Sequence, residues 1–325
     1  MAETIQSLSI CCPSKHGCIN HCATCTARQH DNPYDNKYCG NHMDNYEYWN
    51  DVIKRMKYAQ SKGCTTVMLT GSNEPQQDRR WLEGLYLAMK SLSEPFVNIE
   101  IQTTGALIDL DYLKFLKAIG VTTLAVSTFS IFDDAQNRYV EDCADKNLKI
   151  AKLCENAYDI GLNIRICINV TDYVFTDKFY YSDDVHEWDP TNDAADEAKH
   201  WDKRREIIAR ETKSLLNRCA ELHANQVTFR KMWSNPGTPE ARWIKEHCTY
   251  SNSLIESVAS TVKEYGTLIN VLPYGASRYD YQGFSIVIDT DSMAKDTNNM
   301  AIKYYIIREN GKMYSSWDSP ASIVF

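Results

Sequence analysis

The group of side chains most able to do chemistry is CINHCATC, residues 18–25, which holds three cysteines in eight residues. Cys18, Cys22 and Cys25 are separated by three residues and then by two. Three thiols cannot all pair with one another, but thiolates also hold iron–sulfur clusters. Three thiolates on a four-iron cluster leave one iron without a protein ligand, and that iron can bind and reduce a small molecule. The odd count therefore predicts a reactive metal centre.

Zinc is the alternative metal for this loop. A tetrahedral zinc site needs a fourth ligand, which Cys12, Cys39, His21 or His30 could supply. A zinc site of this kind predicts a binding module without turnover.

The composition limits the compartment and the class of protein. The chain has 325 residues, 43% of them hydrophobic, without an apolar run of the ~18 residues expected of a transmembrane helix. Its start, MAETIQSLSI, lacks the basic and apolar regions of a secretory signal, so we expect a cytoplasmic protein without membrane contact. Twelve cysteines in a reducing compartment favour metal binding or catalysis over disulfides. The net charge of −8 argues against a broad grip on nucleic acid.

A recurring junction predicts the fold that positions the cysteines. Gly63, Gly120, Gly161 and Gly266 each follow a helix-like stretch and precede a strand-like run, and a glycine past a helix end suits the left-handed cap. Asn225 stands at a fifth junction. With a first strand near residues 7–12 and a third near 98–104, six strands precede residue 232. Alternating helices and strands predict a parallel sheet, here an α/β partial (βα)6 TIM-like barrel.

The strands alternate apolar and polar residues. In NIRICINV, residues 163–170, the isoleucines would face the helices while Arg165, Cys167 and Asn169 face the lumen. The same alternation turns Glu100, Gln102 and Thr104 inward on the third strand, and Gln226, Thr228 and Arg230 on the sixth. Barrels usually fill their interior with branched aliphatic residues, so this pattern predicts a polar pocket.

The remaining segments predict two additions to the barrel. Residues 172–192 are acidic and aromatic without a clear period, and would lie at the mouth of the barrel as a lid or a surface loop. A helix with many Lys and Arg residues follows at about 193–221. We expect a barrel core over 1–267, with an insertion at 172–222, and a β-rich extension over 268–325. The extension would pack on the barrel and includes a hairpin turning at residues 309–311.

The cysteine spacing directly after a first β-strand resembles the radical S-adenosylmethionine (SAM) superfamily. That resemblance implies that Cys18, Cys22 and Cys25 hold a 4Fe-4S cluster whose fourth iron binds SAM. It further implies oxygen-sensitive chemistry, in which an electron from a donor such as flavodoxin or ferredoxin splits SAM to methionine and a 5′-deoxyadenosyl radical. The radical then takes a hydrogen atom from the substrate.

The turn after the second strand extends the resemblance. In VMLTGSNEPQQD, Gly71 and the pair Glu74-Pro75 match the family's Gly-Gly-Glu-Pro-like turn, which holds the SAM amino group, while Ser72 and Asn73 replace glycines. By the same similarity, Ser127, Arg165 and Asn169 are candidates for the SAM carboxylate or ribose. Thr24 stands where the family often has an aromatic residue, so another residue must pack on the adenine. The cysteine-free extension argues against an auxiliary cluster there.

The inward residues suggest the substrate. Glu100, Gln102 and Arg230 predict a polar or anionic substrate, either a modified nucleotide or nucleoside or an amino acid or peptide side chain. The two inward arginines, Arg165 and Arg230, favour the phosphate of a nucleotide. Cys167 beside Arg165 could return a hydrogen atom to a product radical, or could simply fill the wall. An activating enzyme that makes a glycyl radical on a partner protein is a further alternative.

Overall fold

The computed structural model describes residues 4–14, 17–29, 44–142, 149–175, 194–272, 275–289, 301–317 and 319–325. Most of the predicted lid, residues 172–192, lies outside these ranges, as do Cys39 and His30. The strands are β1 Thr4–Cys11, β2 Thr66–Thr70, β3 Asn98–Thr103, β4 Thr123–Thr128, β5 Asn163–Val170, β6 Gln226–Lys231, β7 Thr267–Val271, β8 Ser277–Tyr281, β9 Phe284–Asp289, β10 Ala301–Ile307 and β11 Met313–Tyr314. The helices are α1 Tyr46–Ser61, α2 Arg79–Lys90, α3 Leu110–Ala118, α4 Asp134–Glu141, α5 Ile150–Asp159, α6 Ala194–Glu221, α7 Pro239–His247 and α8 Ser251–Tyr265.

The first six strands are neighbours in chain order and parallel, which confirms the predicted α/β barrel architecture. Helices follow β1 to β6 along the chain and cover the sheet. On β5, Ile164, Ile166, Ile168 and Val170 are all buried, as expected of the face turned toward the helices. Because the strands are parallel, their carboxyl ends share one edge, where ligands of such sheets bind. The loop with the three cysteines begins at that edge.

The predicted C-terminal β extension is present. Its strands join the barrel's own sheet at both edges, in the order β11-β10-β1-β2-β3-β4-β5-β6-β9-β8-β7. β10 runs parallel to β1, and β9 runs parallel to β6. The predicted hairpin at residues 309–311 is confirmed by the antiparallel pairing of β10 with β11. The segment after residue 267 therefore flanks both sides of the six-stranded core.

The junctions differ in two places from the glycine-cap prediction. Gly63, Gly120 and Gly161 adopt the left-handed conformation. Gly266 does not, since its φ is −107°. Glycine is needed there because a Cβ atom would lie 2.7 Å from the backbone oxygen of Asp280. At the fifth junction the left-handed residue is His223, with φ 56°. Asn225 instead accepts a hydrogen bond from the Ile164 backbone N–H with its side chain.

Within the described ranges, no helix combines the length and the apolar character needed to cross a membrane.

Candidate active site

The cysteine loop crosses the mouth of the barrel and is held at three points. Near its start, the Ile19 N–H donates to Gln77 Oε1 over 3.1 Å. In its middle, the His21 N–H donates to the Glu141 carbonyl at the end of α4 over 2.9 Å. At its end, Arg28 forms a 3.0 Å ion pair with Glu240 on α7. These contacts follow β2, β4 and β6 respectively, so the loop is fixed to loops from both halves of the barrel.

The three cysteine side chains share one environment. Cys18, Cys22 and Cys25 are each partly exposed and free of disulfides. Burial raises the pKa of Cys18 to about 11, with a smaller contribution from Glu74. Burial also raises the pKa of Cys22, with smaller contributions from the negative charges of Glu141, Cys25 and Cys18, which repel a thiolate at this position. A cationic group bound by the thiolates would remove this repulsion.

The donor set fits an iron–sulfur cluster. Among the described residues, no three Cys, His, Asp or Glu side chains are grouped so that they could hold one ion. The thiolates of a four-iron cluster bind different iron atoms and need not converge on one point, and thiolate is the ligand that such clusters require. Cys18, Cys22 and Cys25 are the thiols of this loop that could hold such a cluster.

The turn after β2 packs closely against the end of β1. Gly71 has φ 132°, and an added Cβ would lie 3.0 Å from both Cα and Cβ of Cys11, so only glycine fits. The Cys12 N–H donates to the Thr70 carbonyl over 2.9 Å, and the Asn73 amide donates to the Cys12 carbonyl over 3.2 Å. Ser72 donates to the carboxylate of Glu309, in the hairpin between β10 and β11. The turn is thus fixed against the end of β1 and against the hairpin that follows β10.

Glu74 connects this turn to the cysteine loop and to β3. It is 4% exposed, and its Oε2 accepts hydrogen bonds from the Asn20 amide at 3.1 Å and from the Thr104 backbone N–H and hydroxyl at 3.1 and 2.9 Å. A carboxylate only accepts, so the Asn20 Nδ2 must face Glu74 and the Oδ1 must face away. That Oδ1 is buried and has no hydrogen-bond partner in the described part of the chain. The amide oxygen of Asn20 is therefore available as a hydrogen-bond acceptor beside the buried carboxylate of Glu74.

Two residues of this arrangement were missed in the sequence. Asn20 lies inside the cysteine motif, and Gln77 lies three residues after Glu74. Gln77 Oε1 also accepts from the Glu74 N–H at 3.2 Å, while its Nε2 donates to Ser14 Oγ at 3.1 Å and to the Gly17 carbonyl at 2.9 Å. Their positions beside the two motifs were the only features of the sequence that could have indicated a role in the site.

The inward residues predicted on the strands form two groups at different depths. Near the amino ends of the strands, Arg165 Nη1 lies 2.9 Å from both carboxylate oxygens of Glu100, Gln102 donates to Glu100 over 2.9 Å, and Arg165 Nε donates to Thr228 over 3.2 Å. Near the carboxyl ends, the Asn169 amide donates to Ser127 over 3.0 Å.

Cys167 and Arg230 are not hydrogen-bonded into either group among the described residues. Cys167 is buried, and its backbone pairs in register with Ser127 on one side and Thr228 on the other. Arg230 pairs in register with Asn169 and with Asp289 on β9. Its Nε is buried and has no hydrogen-bond partner in the residues that the structure describes. Arg230 thus lies near the carboxyl end of β6, where its guanidinium group can donate further hydrogen bonds.

The fold is shared with solved SAM-binding structures. The Streptococcus suis SuiB structure bound to S-adenosylmethionine aligns with a TM-score of 0.55 at 13% identity, over 97% of this chain and 61% of that one. SuiB bound to the precursor peptide SuiA aligns with a TM-score of 0.53 at 12% identity, over 97% and 60%. The anSMEcpe structure with bound AdoMet and the Cp18Cys peptide aligns with a TM-score of 0.54 at 13% identity, over 97% and 75%. The chain thus spans about three fifths of the SuiB chains.

No curated protein matches the chain significantly in sequence. Residues 13–173, about half of the chain, match the model described as the radical SAM superfamily. The matched residues include the cysteine loop, the turn after β2 and strands β2 to β5. The chain belongs to the radical SAM superfamily, whose members use a 4Fe-4S cluster and S-adenosylmethionine.

Proposed function

We propose that Cys18, Cys22 and Cys25 hold the cluster and that the turn from Gly71 to Glu74 holds SAM beside it. When both are bound, the cluster supplies the electron that splits SAM into methionine and a 5′-deoxyadenosyl radical. The observation that carries the proposal is the hydrogen-bond network of Glu74 with Asn20 and Thr104, because it fixes the cysteine loop and the turn in one arrangement. The protein therefore holds the two proposed sites next to each other through its own side chains.

Glu74 and Asn20 are suited to the cationic amino group of SAM. Glu74 is a buried carboxylate, and the cost of burying its charge is lowered when a cation binds next to it. Asn20 Oδ1 supplies a second acceptor. Ser127 and Asn169, at the carboxyl ends of β4 and β5, are placed to contact the carboxylate or ribose of SAM. Arg165 is engaged with Glu100 deeper in the barrel, so we assign it no SAM contact.

The lumen supports a polar substrate, and we favour an amino acid or peptide side chain over a nucleotide. Two inward arginines were the reason to expect phosphate, but Glu100 neutralises Arg165. Arg230 remains as a cation near the mouth. The SuiB and anSMEcpe structures with bound peptides, although only about one residue in eight is identical, have the same fold. A carboxylate of such a substrate would suit Arg230.

Cys167 and the reductant complete the proposal. Cys167 lies between the two polar groups of the lumen, where a thiol can give a hydrogen atom to a substrate radical. A small one-electron donor of the flavodoxin or ferredoxin type in the cytoplasm would reduce the cluster. Substitution of Cys167 by Ala should then stop product formation while 5′-deoxyadenosine is still formed.

Anaerobic reconstitution with iron and sulfide tests the proposed function. The wild-type protein should become brown, bind about four irons and four sulfides per chain, and form 5′-deoxyadenosine from SAM after dithionite is added. Cys22→Ala should lose the colour and the product, whereas Cys64→Ala, a buried cysteine next to β2, should retain both. A Cys22→Ala protein that cleaves SAM at the wild-type rate would contradict the assignment.

A further inference from the structure

The C-terminal hairpin contacts the proposed SAM-binding turn through side chains 237 residues apart. The Ser72 hydroxyl donates to Oε1 of Glu309, which lies between β10 and β11. Ser72 is one of the two positions at which this turn has a side chain where the resembled turn has glycine. The added hydroxyl therefore has a specific partner, and that partner comes from the C-terminal strands.

The hairpin that carries Glu309 is itself held firmly in place. Its turn is closed by hydrogen bonds from the Arg308 N–H to the Lys312 carbonyl at 3.0 Å and from the Gly311 N–H to the Arg308 carbonyl at 2.8 Å. Gly311 packs against the ring of Tyr48 on α1, where an added Cβ would lie 3.2 Å from the ring. Arg308 donates to the Trp317 carbonyl over 2.6 Å and lies over its ring. Glu309 is therefore positioned by contacts within the fold.

Burial makes the contact between Ser72 and Glu309 stronger than a surface hydrogen bond. Glu309 is 1% exposed, and its Oε2 has no hydrogen-bond partner within the described part of the chain. A buried carboxylate needs donors, because water does not solvate it. The Ser72 hydroxyl is such a donor, and hydrogen bonds to charged groups are about twice as strong as neutral ones.

We propose that Glu309 is a positioning residue for SAM binding, acting through Ser72. By holding the Ser72 hydroxyl, it fixes the backbone of the turn next to the position where Asn73 contacts Cys12. The turn is then ordered before SAM binds, so binding does not have to fix it. This inference rests on the proposed function of the Gly71–Glu74 turn as the SAM site, and it gives the C-terminal strands a role in that site.

A double-mutant cycle on the reconstituted holoenzyme tests the inference. Ser72→Ala removes the donor, and Glu309→Gln keeps the shape of the side chain but removes its charge. The dissociation constant for SAM, measured by equilibrium dialysis without reductant, should rise about tenfold for Ser72→Ala and about threefold for Glu309→Gln. The double variant should bind no more than about twofold more weakly than Ser72→Ala alone, because both changes break the same contact.

A second readout separates positioning from general destabilisation. Hydrogen exchange of residues 70–74 without SAM should be faster in both single variants, while iron and sulfide content stays at the wild-type level. Lys312→Ala is the matched control, because its side chain is exposed on the same hairpin, and it should change neither measurement.

Glu74→Gln, measured beside these variants, separates this inference from the function on which it rests. If Glu74→Gln weakens SAM binding about thirtyfold while the Ser72 and Glu309 variants bind like the wild type, the positioning role is wrong and the SAM site stands. Fully additive effects of Ser72→Ala and Glu309→Gln also overturn the positioning role. If Glu74→Gln itself binds SAM like the wild type, the proposed SAM site is wrong.

Discussion

The two ends of the barrel strands use polar side chains in opposite ways. At the carboxyl ends, Glu74 and Gln77 connect loops that are far apart in sequence, with hydrogen bonds to Asn20, Thr104 and Ile19. Toward the amino ends, Glu100 and Arg165 connect strands that the sheet already holds together. Thr104 lies four positions after Glu100, just past the end of β3, and four strand positions correspond to roughly 13 Å. We call the first group the rim and the second the floor.

The difference teaches that a polar barrel interior need not be a binding site throughout. The rim contacts set the relative positions of segments that no backbone ladder fixes, so their loss should change ligand binding. The floor ion pair is 5% exposed at Glu100 and 18% exposed at Arg165, and the two charges offset each other. Its loss should change stability first. Each of the following experiments asks whether rim and floor separate in this way.

Removal of the cluster should have the largest effect, and only at the rim. Chelation of iron from the reconstituted protein takes away the bonds that hold Cys18 and Cys22, which are partly exposed on the loop. We expect hydrogen exchange of residues 17–29 to rise by an order of magnitude or more, while residues 98–103 and 163–170 keep their protection. If hydrogen exchange at the floor rises as much as at the rim, the cluster stabilises the whole barrel and the distinction between rim and floor is wrong.

Arg165→Ala should have the next largest effect, and it should appear in stability. The change leaves the Glu100 carboxylate buried without its cation, which typically costs about 3 kcal/mol of the free energy of unfolding. Urea denaturation of the apo-protein measures it. Lys152→Ala, which breaks an ion pair on the surface of α5, is the matched control and should leave the midpoint almost unchanged. If the Arg165→Ala protein has normal stability but no longer binds the substrate, Arg165 belongs to the substrate site.

The sequence predicts the floor better than the rim, for a physical reason. Alternation with period two turned Glu100, Gln102, Arg165 and Thr228 to one face, and the structure connects these residues by hydrogen bonds. A strand fixes the direction of each side chain locally, so pattern alone suffices. The six strands and the hairpin at residues 309–311 were predictable on the same grounds.

Contacts between distant segments were not predictable in this way. The contact of Ser72 with Glu309 depends on β10 pairing beside β1, and a strand pattern does not say which edge of a sheet a strand will join. The sequence predicted C-terminal strands on the barrel, but their pattern did not reveal that they would join the edges of its sheet. Asn20 and Gln77 lay beside recognised motifs, but their partners are set by loop geometry. The cysteine and Glu74 motifs stood out because their chemistry, and not their structure, is unusual.

Gln77→Ala should give the smallest effect and is the finest test of the rim. The amide of Gln77 accepts from the Ile19 and Glu74 N–H groups and donates to Ser14 and Gly17, so its loss leaves two backbone donors without their partner. One net hydrogen bond contributes about 1 kcal/mol, which corresponds to a roughly fivefold increase in the dissociation constant for SAM. Gln60→Ala, which removes an exposed side-chain hydrogen bond to the Glu94 carbonyl, should leave SAM binding unchanged. If Gln77→Ala lowers the urea midpoint as much as Arg165→Ala while SAM binding stays normal, rim contacts serve stability as floor contacts do, and the separation between the two ends of the barrel is lost.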